Sequence, residues 1–225
     1  MSKDDGPAWH GLSGKPGQHR IAMKEKLHSE RKWGAKTADE RRAERRCHLM
    51  SAAIKIYGER GFRNCSVKTV CNAAGLTERY FYESFSNGED ILKQCFRLVT
   101  SELILTMRET ADNAGGHPRM RVRAALLTYL ERLRGNPPAA RLFLVEMASI
   151  SRGADALVSD SLDEFGRLLL DILHRESEGE AVPPLLLRGV IGGGLHITRA
   201  WAANGFLESI EDVADTALRL YFLVE

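Results

Sequence analysis

The stretch GLTERYFYESFSNGEDIL, residues 75–92, sets four aromatic residues, Tyr80, Phe81, Tyr82 and Phe85, in an otherwise polar run. Ser66 and Thr77 stand where each can cap a short helix. Residues 66–74, a turn through Gly75 and Leu76, and residues 77–85 therefore read as a helix-turn-helix, with glycine at the sharp turn. Phe81 and Phe85, four residues apart, share one helical face and are expected to pack near Val67 and Val70. Tyr80 and Tyr82 each lie about 100° round from Phe81, off the centre of that buried stripe. On a helix that enters a DNA groove such residues would be readers. A tyrosine hydroxyl can bond a phosphate, its ring can meet a thymine methyl, and Arg79 can offer a bidentate fork to guanine.

Helical patterns surround this unit and strands are almost absent, so the chain reads as all-α. Thr37 and Glu40 have the spacing of a capping box, and Cys47, Met50, Ile54 and Tyr57 then recur at helical intervals until Gly61. Ser86-Asn87-Gly88-Glu89 forms a second box that opens a long helix to about Asp112. After the break NAGGHP (residues 113–118) come patterns over 118–134, 137–150, 155–177 and 184–203, and a last helix starts at Ser209, which makes nine helices. The organisation expected is a flexible basic arm over residues 1–36, a DNA-binding domain over 37–86, and a helical ligand-binding and dimerisation domain over 87–225.

The chain of 225 residues is 44% hydrophobic, enough for an ordinary core. Its net charge of +2 hides a basic front: residues 1–100 carry 19 Lys+Arg against 12 Asp+Glu, and the remainder is acidic. A basic module suits a polyanionic partner. No membrane span and no secretory leader is recognisable, so a cytosolic protein is expected. The four cysteines form no C-x-x-C pair, and Cys47 and Cys71 lie on helical faces expected to be buried. The seven histidines show no ligand spacing, and no nucleophile-base pair or phosphate loop is visible. Neither a catalytic residue, a cofactor nor a metal is therefore expected. A small helical enzyme or lipid-binding protein, and a DNA-binding architectural protein without ligand control, are the alternatives that this pattern leaves.

Residues 41–92 resemble the TetR family of bacterial repressors: an alanine-rich first helix ending in Gly-Phe, then Ser-Val-x-x-Val, Ala-Gly-Leu-Thr, and Phe-Tyr-x-x-Phe before an acidic helix start. The resemblance implies that Lys68, Thr77 and Tyr82 contact backbone or groove, and that Glu78, Arg79, Tyr80 and Ser84 fall where base choice is set; Ser66 joins them as the cap of the preceding helix. One departure is Gly88, where the family usually has a phosphate-holding lysine. The second half matches the family only in length and helix pattern. By resemblance the partner is a double-stranded operator, bound as a homodimer and released by a small molecule. Phe96, Met107, Tyr129, Phe143 and Met147 would suit a hydrophobic or aromatic effector, and equally an ordinary core. Gly192, Gly193 and Gly194 each cost up to about 1 kcal/mol in mid-helix. Close helix approach would offset that cost, and the family implies a dimer interface including Gly192, Gly193, His196 and Trp201.

Overall fold

The computed structural model describes residues 37–146, 154–173 and 182–222. Among them nine α-helices follow in order: α1 (Ala38–Arg60), α2 (Val67–Ala74), α3 (Glu78–Tyr82), α4 (Gly88–Ala114), α5 (Pro118–Gly135), α6 (Pro137–Leu144), α7 (Ala154–Leu173), α8 (Pro184–Ala203) and α9 (Ile210–Tyr221). A 3-10 turn, Phe62–Asn64, links α1 to α2, and no strand occurs among the described residues. The basic arm expected over 1–36 and the candidate ligand residue Met147 lie outside the described residues. Residues 1–40 and 41–225 form two separate units. In the first, the capping box is formed: Thr37 N donates to Glu40 Oε2 at 2.7 Å and Glu40 N to Thr37 Oγ1 at 3.1 Å.

In the second unit the helix starts follow local chemistry. Ser66, His117, Asn136 and Ser209 each accept a backbone N–H of the first turn. The start of α4 falls one residue later than the sequence pattern suggests. Asn87, not Ser86, is the cap and accepts from Asp90 N at 2.9 Å, while Asp90 reaches back to the amide and hydroxyl of Ser86. The reading of Thr77 also needs correction: it occupies the cap position with extended backbone, but its hydroxyl makes no capping bond. The helix it opens ends at Tyr82 rather than Phe85, the last residues closing as a turn on the carbonyl of Phe81.

The core explains the helix order. α4 buries Ile91, Leu92, Cys95, Phe96, Val99, Leu103 and Met107, a stripe at helical spacing. α5, α7 and α6 pack around this helix, and α8 and α9 complete the domain. On α1 the buried stripe is Leu49, Met50, Ala53, Ile56 and Tyr57. Cys47 points about 120° away from the centre of that stripe. It is exposed, contrary to expectation, whereas Cys71 is buried.

A backbone-to-backbone contact joins α1 to α6. A Cβ placed on Gly58 would lie 2.2 Å from the carbonyl oxygen of Pro138 and 2.4 Å from its Cα, so only glycine lets the two backbones meet. Gly192 is the opposite case, with nothing within 4 Å of the added carbon. Gly58→Ala should therefore cost about 1 to 3 kcal/mol, the range for overpacking a closed contact. Gly192→Ala should instead gain up to about 1 kcal/mol from helix propensity. Thermal and urea melts of the two variants beside the wild type check the contrast.

Candidate nucleic-acid interface and effector chamber

The helix-turn-helix is held by its apolar side. Phe81 and Phe85 are buried with centroids 5.4 Å apart, in one cluster with Val70, Tyr57 and Leu49. Gly75 adopts the left-handed conformation (φ 65°, ψ 28°), and the amide of Leu76 closes onto the carbonyl of Cys71 at 2.9 Å, which ends α2 and turns the chain into α3.

The other side of α3 faces outward. The Arg79 side chain is 86% exposed, with the Glu83 carboxylate 3.7 Å from its Nε. Tyr82 is 58% exposed, with its ring edge against Phe81. Ser66, Lys68, Thr77 and Glu78 are exposed as well. Tyr80 and Ser84 are different: both are half-buried. The Arg45 guanidinium lies 4.3 Å over the Tyr80 ring, and Arg46 donates to the carbonyl of Ser84 at 3.4 Å.

A row of arginines on α1 produces this clamp, a feature not apparent from the sequence. Arg42, Arg45 and Arg46 share one helical face. Arg42 donates to the Glu83 carbonyl, Arg45 pairs with the Glu83 carboxylate at 3.2 Å, and Arg46 also stacks over Phe85 at 4.8 Å. Cations gathered on the last carbonyls of a helix complement its dipole and fix its end. The row thus sets the pitch of α3. The family's lysine position, Gly88, is not closed to a side chain: a Cβ there would meet Phe62 and the Tyr57 hydroxyl at 3.5–3.8 Å, ordinary contact.

Four of the five candidate effector residues come together. Phe96, Met107, Tyr129 and Phe143 line one cavity of about 60 Å³ between α4, α5, α6, α7, α8 and α9. Phe96 stacks on Phe143 at 5.5 Å, and Phe165, on α7, closes an aromatic box at 6.0 Å from Phe143 and 6.1 Å from Tyr129. Ser161, Arg199 and the Tyr221 hydroxyl supply polar groups to a wall otherwise apolar. Burial raises the Tyr129 phenol above its ordinary range and pushes that of Tyr221 up to about 12, so both are neutral hydrogen-bonding groups near pH 7.

The glycines of α8 divide between two environments. A Cβ on Gly194 would strike the Tyr221 hydroxyl at 2.2 Å, and one on Gly193 would touch Leu220 at 3.0 Å, so both accommodate α9 of the same chain. Trp201 is likewise 3% exposed within its own chain, its indole donating to the Glu208 carbonyl at 3.0 Å. It offers no ring to a partner. Gly189 and Gly192 have open space outside, and His196 is exposed beside them.

A polar chain leads from the cavity toward the helix-turn-helix. Arg199, in the cavity wall, donates from Nε to the Leu144 carbonyl at 2.7 Å. Two residues on, buried Glu146 accepts the Phe62 amide at 2.7 Å and Arg141 Nε at 3.1 Å. Gly61, with φ 82°, turns the backbone so that this amide faces the carboxylate.

Among the described residues no group of His, Cys, Asp and Glu could hold a metal ion, and no helix is long and apolar enough to cross a membrane. Comparison with known proteins agrees with the geometry of the helix-turn-helix. Residues 49–95 match the family described as bacterial regulatory proteins, tetR family. The fold is similar to that of the fatty acid degradation regulator FadR from Bacillus halodurans, with TM-score 0.67 and 16% identity over 78% of this chain and 96% of that one. It is similar also to the transcriptional regulator FadR from Bacillus subtilis, solved in complex with stearoyl-CoA (TM-score 0.66, 19% identity, 78% and 96% covered). A tetR-family transcriptional regulator from Streptomyces coelicolor matches with TM-score 0.65 and 16% identity over 81% and 80% of the two chains. Residues 49–95 thus match the tetR-family helix-turn-helix, and the chain as a whole shares the all-α fold of these solved regulators.

Proposed function

We propose that this protein is a homodimeric repressor that sets two copies of α3 into successive major grooves of a palindromic operator and is released by a small apolar or aromatic effector. The observation that carries the reading is the division of α3. Its apolar edge is locked by core and arginine row, while Arg79 and Tyr82 project outward with most of their surface exposed. Two such helices about one helical turn apart match the half-site spacing of B-DNA. The open face of α8 suits a second copy, since Leu185 is 84% exposed and Gly189 and Gly192 would let a partner helix approach closely.

The effector reading rests on the aromatic box. An acyl chain such as that of the stearoyl-CoA bound to the Bacillus subtilis FadR, or an aromatic body, would enter by widening a cavity of about 60 Å³. Widening moves Arg199, and with it the end of α6 that holds Phe62 through Glu146. Linkage then requires operator binding to weaken effector binding by the same factor.

Selection of bound genomic fragments by the purified protein, with light scattering for its mass, tests the reading. A monomer at micromolar concentration, or no enrichment of a two-fold sequence, overturns it. Gly192→Leu should break the dimer without lowering monomer stability, because its side chain meets open space in its own chain.

Three substitutions on α3 should separate by readout. Arg79→Ala should cost about 1 to 3 kcal/mol on the best operator and relax base choice at one position per half-site. Tyr82→Phe should weaken all sequences alike, as loss of a phosphate contact does. Phe81→Ala should cost about 3 to 5 kcal/mol of folding stability, the range for truncating a fully buried phenylalanine. Site selection and melting of each variant check the assignment. Glu146→Ala addresses the coupling: it leaves the Phe62 amide unpaired at about 1 to 3 kcal/mol. It should shrink the ratio of operator affinities measured without and with effector toward one. An unchanged ratio would show that coupling runs elsewhere.

A further inference from the structure

Beside the aromatic chamber, between α4 and α7, lies a second space of about 350 Å³ with a different lining. Arg97, Thr100 and Ser101 line it from α4, and Leu157, Asp160 and Glu164 from α7. Phe96 and Ser161 line both spaces, so the two adjoin. The chamber alone is small for a drug-sized ligand; the two spaces together fall within the roughly 300–1,000 Å³ of small-molecule sites.

Thr100 marks the groove as more than a surface dent. It is 3% exposed, and its hydroxyl has no hydrogen-bond partner. A helical threonine ordinarily returns its hydroxyl to the carbonyl four residues back. Thr106 and Thr110, on the same helix, do so at 2.8 and 2.9 Å. Thr100, a residue of the groove lining, alone of the three leaves its shielded hydroxyl unpaired, and an unsatisfied buried polar group is a standing cost that a ligand can remove.

The charges indicate what kind of polar group would fit. Asp160 and Glu164 are one turn apart on the groove face of α7, a like-charge arrangement that destabilises a helix slightly. Among the described residues neither is in an ion pair, and Arg97 across the groove pairs with neither. Two carboxylates against one guanidinium favour a cationic head over an anionic one, and a nucleotide phosphate least of all.

We infer that the effector is an amphipathic amine: its apolar or aromatic body fills the Phe96–Tyr129–Phe143–Phe165 box, and its protonated amino head lies in the α4–α7 groove between the Thr100 hydroxyl and the carboxylates of Asp160 and Glu164. This assignment of the head rests on the proposed effector chamber.

The full-length protein is titrated calorimetrically with three probes that share one body, phenylbutylamine, phenylbutanol and phenylbutyrate, and with stearoyl-CoA. The amine should bind about tenfold more tightly than the alcohol, the scale of one charge-assisted hydrogen bond. The carboxylate should bind most weakly of the three. Asp160→Asn with Glu164→Gln should bring the amine to the alcohol's affinity and leave the alcohol unchanged. Thr100→Val should weaken amine and alcohol several-fold while the free protein melts no lower than wild type, whereas a threonine with only a structural role would lower the melt. Failure of the amine to bind, equal or tighter binding of phenylbutyrate or stearoyl-CoA, or a preference that survives the double variant overturns the inference. Tight binding of the acid or of stearoyl-CoA with release of operator would leave the ligand-responsive repressor intact. Bound probes that never release operator would sink that reading instead.

Discussion

The contact of Gly58 with the backbone of Pro138 is the constraint on which the arrangement of the second unit depends. It brings α1, which leads into the helix-turn-helix, directly onto α6, one wall of the aromatic cavity. No side chain cushions the join, and close-packed backbones resist small displacements more than a layer of rotatable side chains does. A shift of α6 is therefore passed to α1 rather than absorbed. The arginine row of α1 in turn holds the far end of α3, so α3 follows α1.

Glu146 adds direction to that join. A buried carboxylate is costly to desolvate unless its oxygens are bonded, and here one oxygen takes the Phe62 amide and the other the Arg141 guanidinium. Such a group holds its geometry or loses it as a unit, since leaving either oxygen unpaired brings back the desolvation cost. It makes a better two-position element than an apolar contact, which can slide. Its neighbours allow such a change: Gly61 accepts a backbone conformation closed to most residues, and Arg141 is half exposed and can exchange its partner for water.

What could be read from the sequence was what is decided within about four residues. The boxes and caps at Thr37, Ser66 and Ser209, the left-handed Gly75 and the Phe81–Phe85 pair all concern neighbours on one turn of helix. Even there a one-residue ambiguity could mislead, as at Asn87, because Ser and Asn are equally good caps and the longer-range partner, Asp90, chooses between them. Cys47 was misjudged because two stripes on α1 share Met50 and Tyr57, and only the packing partner selects one. Four effector-wall residues were named from type alone. Phe165, Arg199 and Tyr221 were missed because nothing local marks a helical residue as facing a cavity built from six helices. The Glu146–Phe62 bond, 84 residues apart in sequence, left no local trace.

The three adjacent glycines of α8 show how one sequence feature can serve two neighbours. Helical geometry turns successive residues by about 100°, so Gly192, Gly193 and Gly194 cannot share a face. Gly194 is required by the hydroxyl of Tyr221, a residue that also lines the aromatic cavity, while Gly192 continues the open face that begins at Leu185 and Gly189. A single turn of helix thus touches the chamber wall on one side and presents small residues to the outside on the other. If a second copy packs on that outer face, the spacing of the two reading helices and the shape of the chamber are set by the same few residues. An effector that moves Tyr221 then acts on the rigid α8 that would join the two subunits, and no separate relay to the dimer contact is needed.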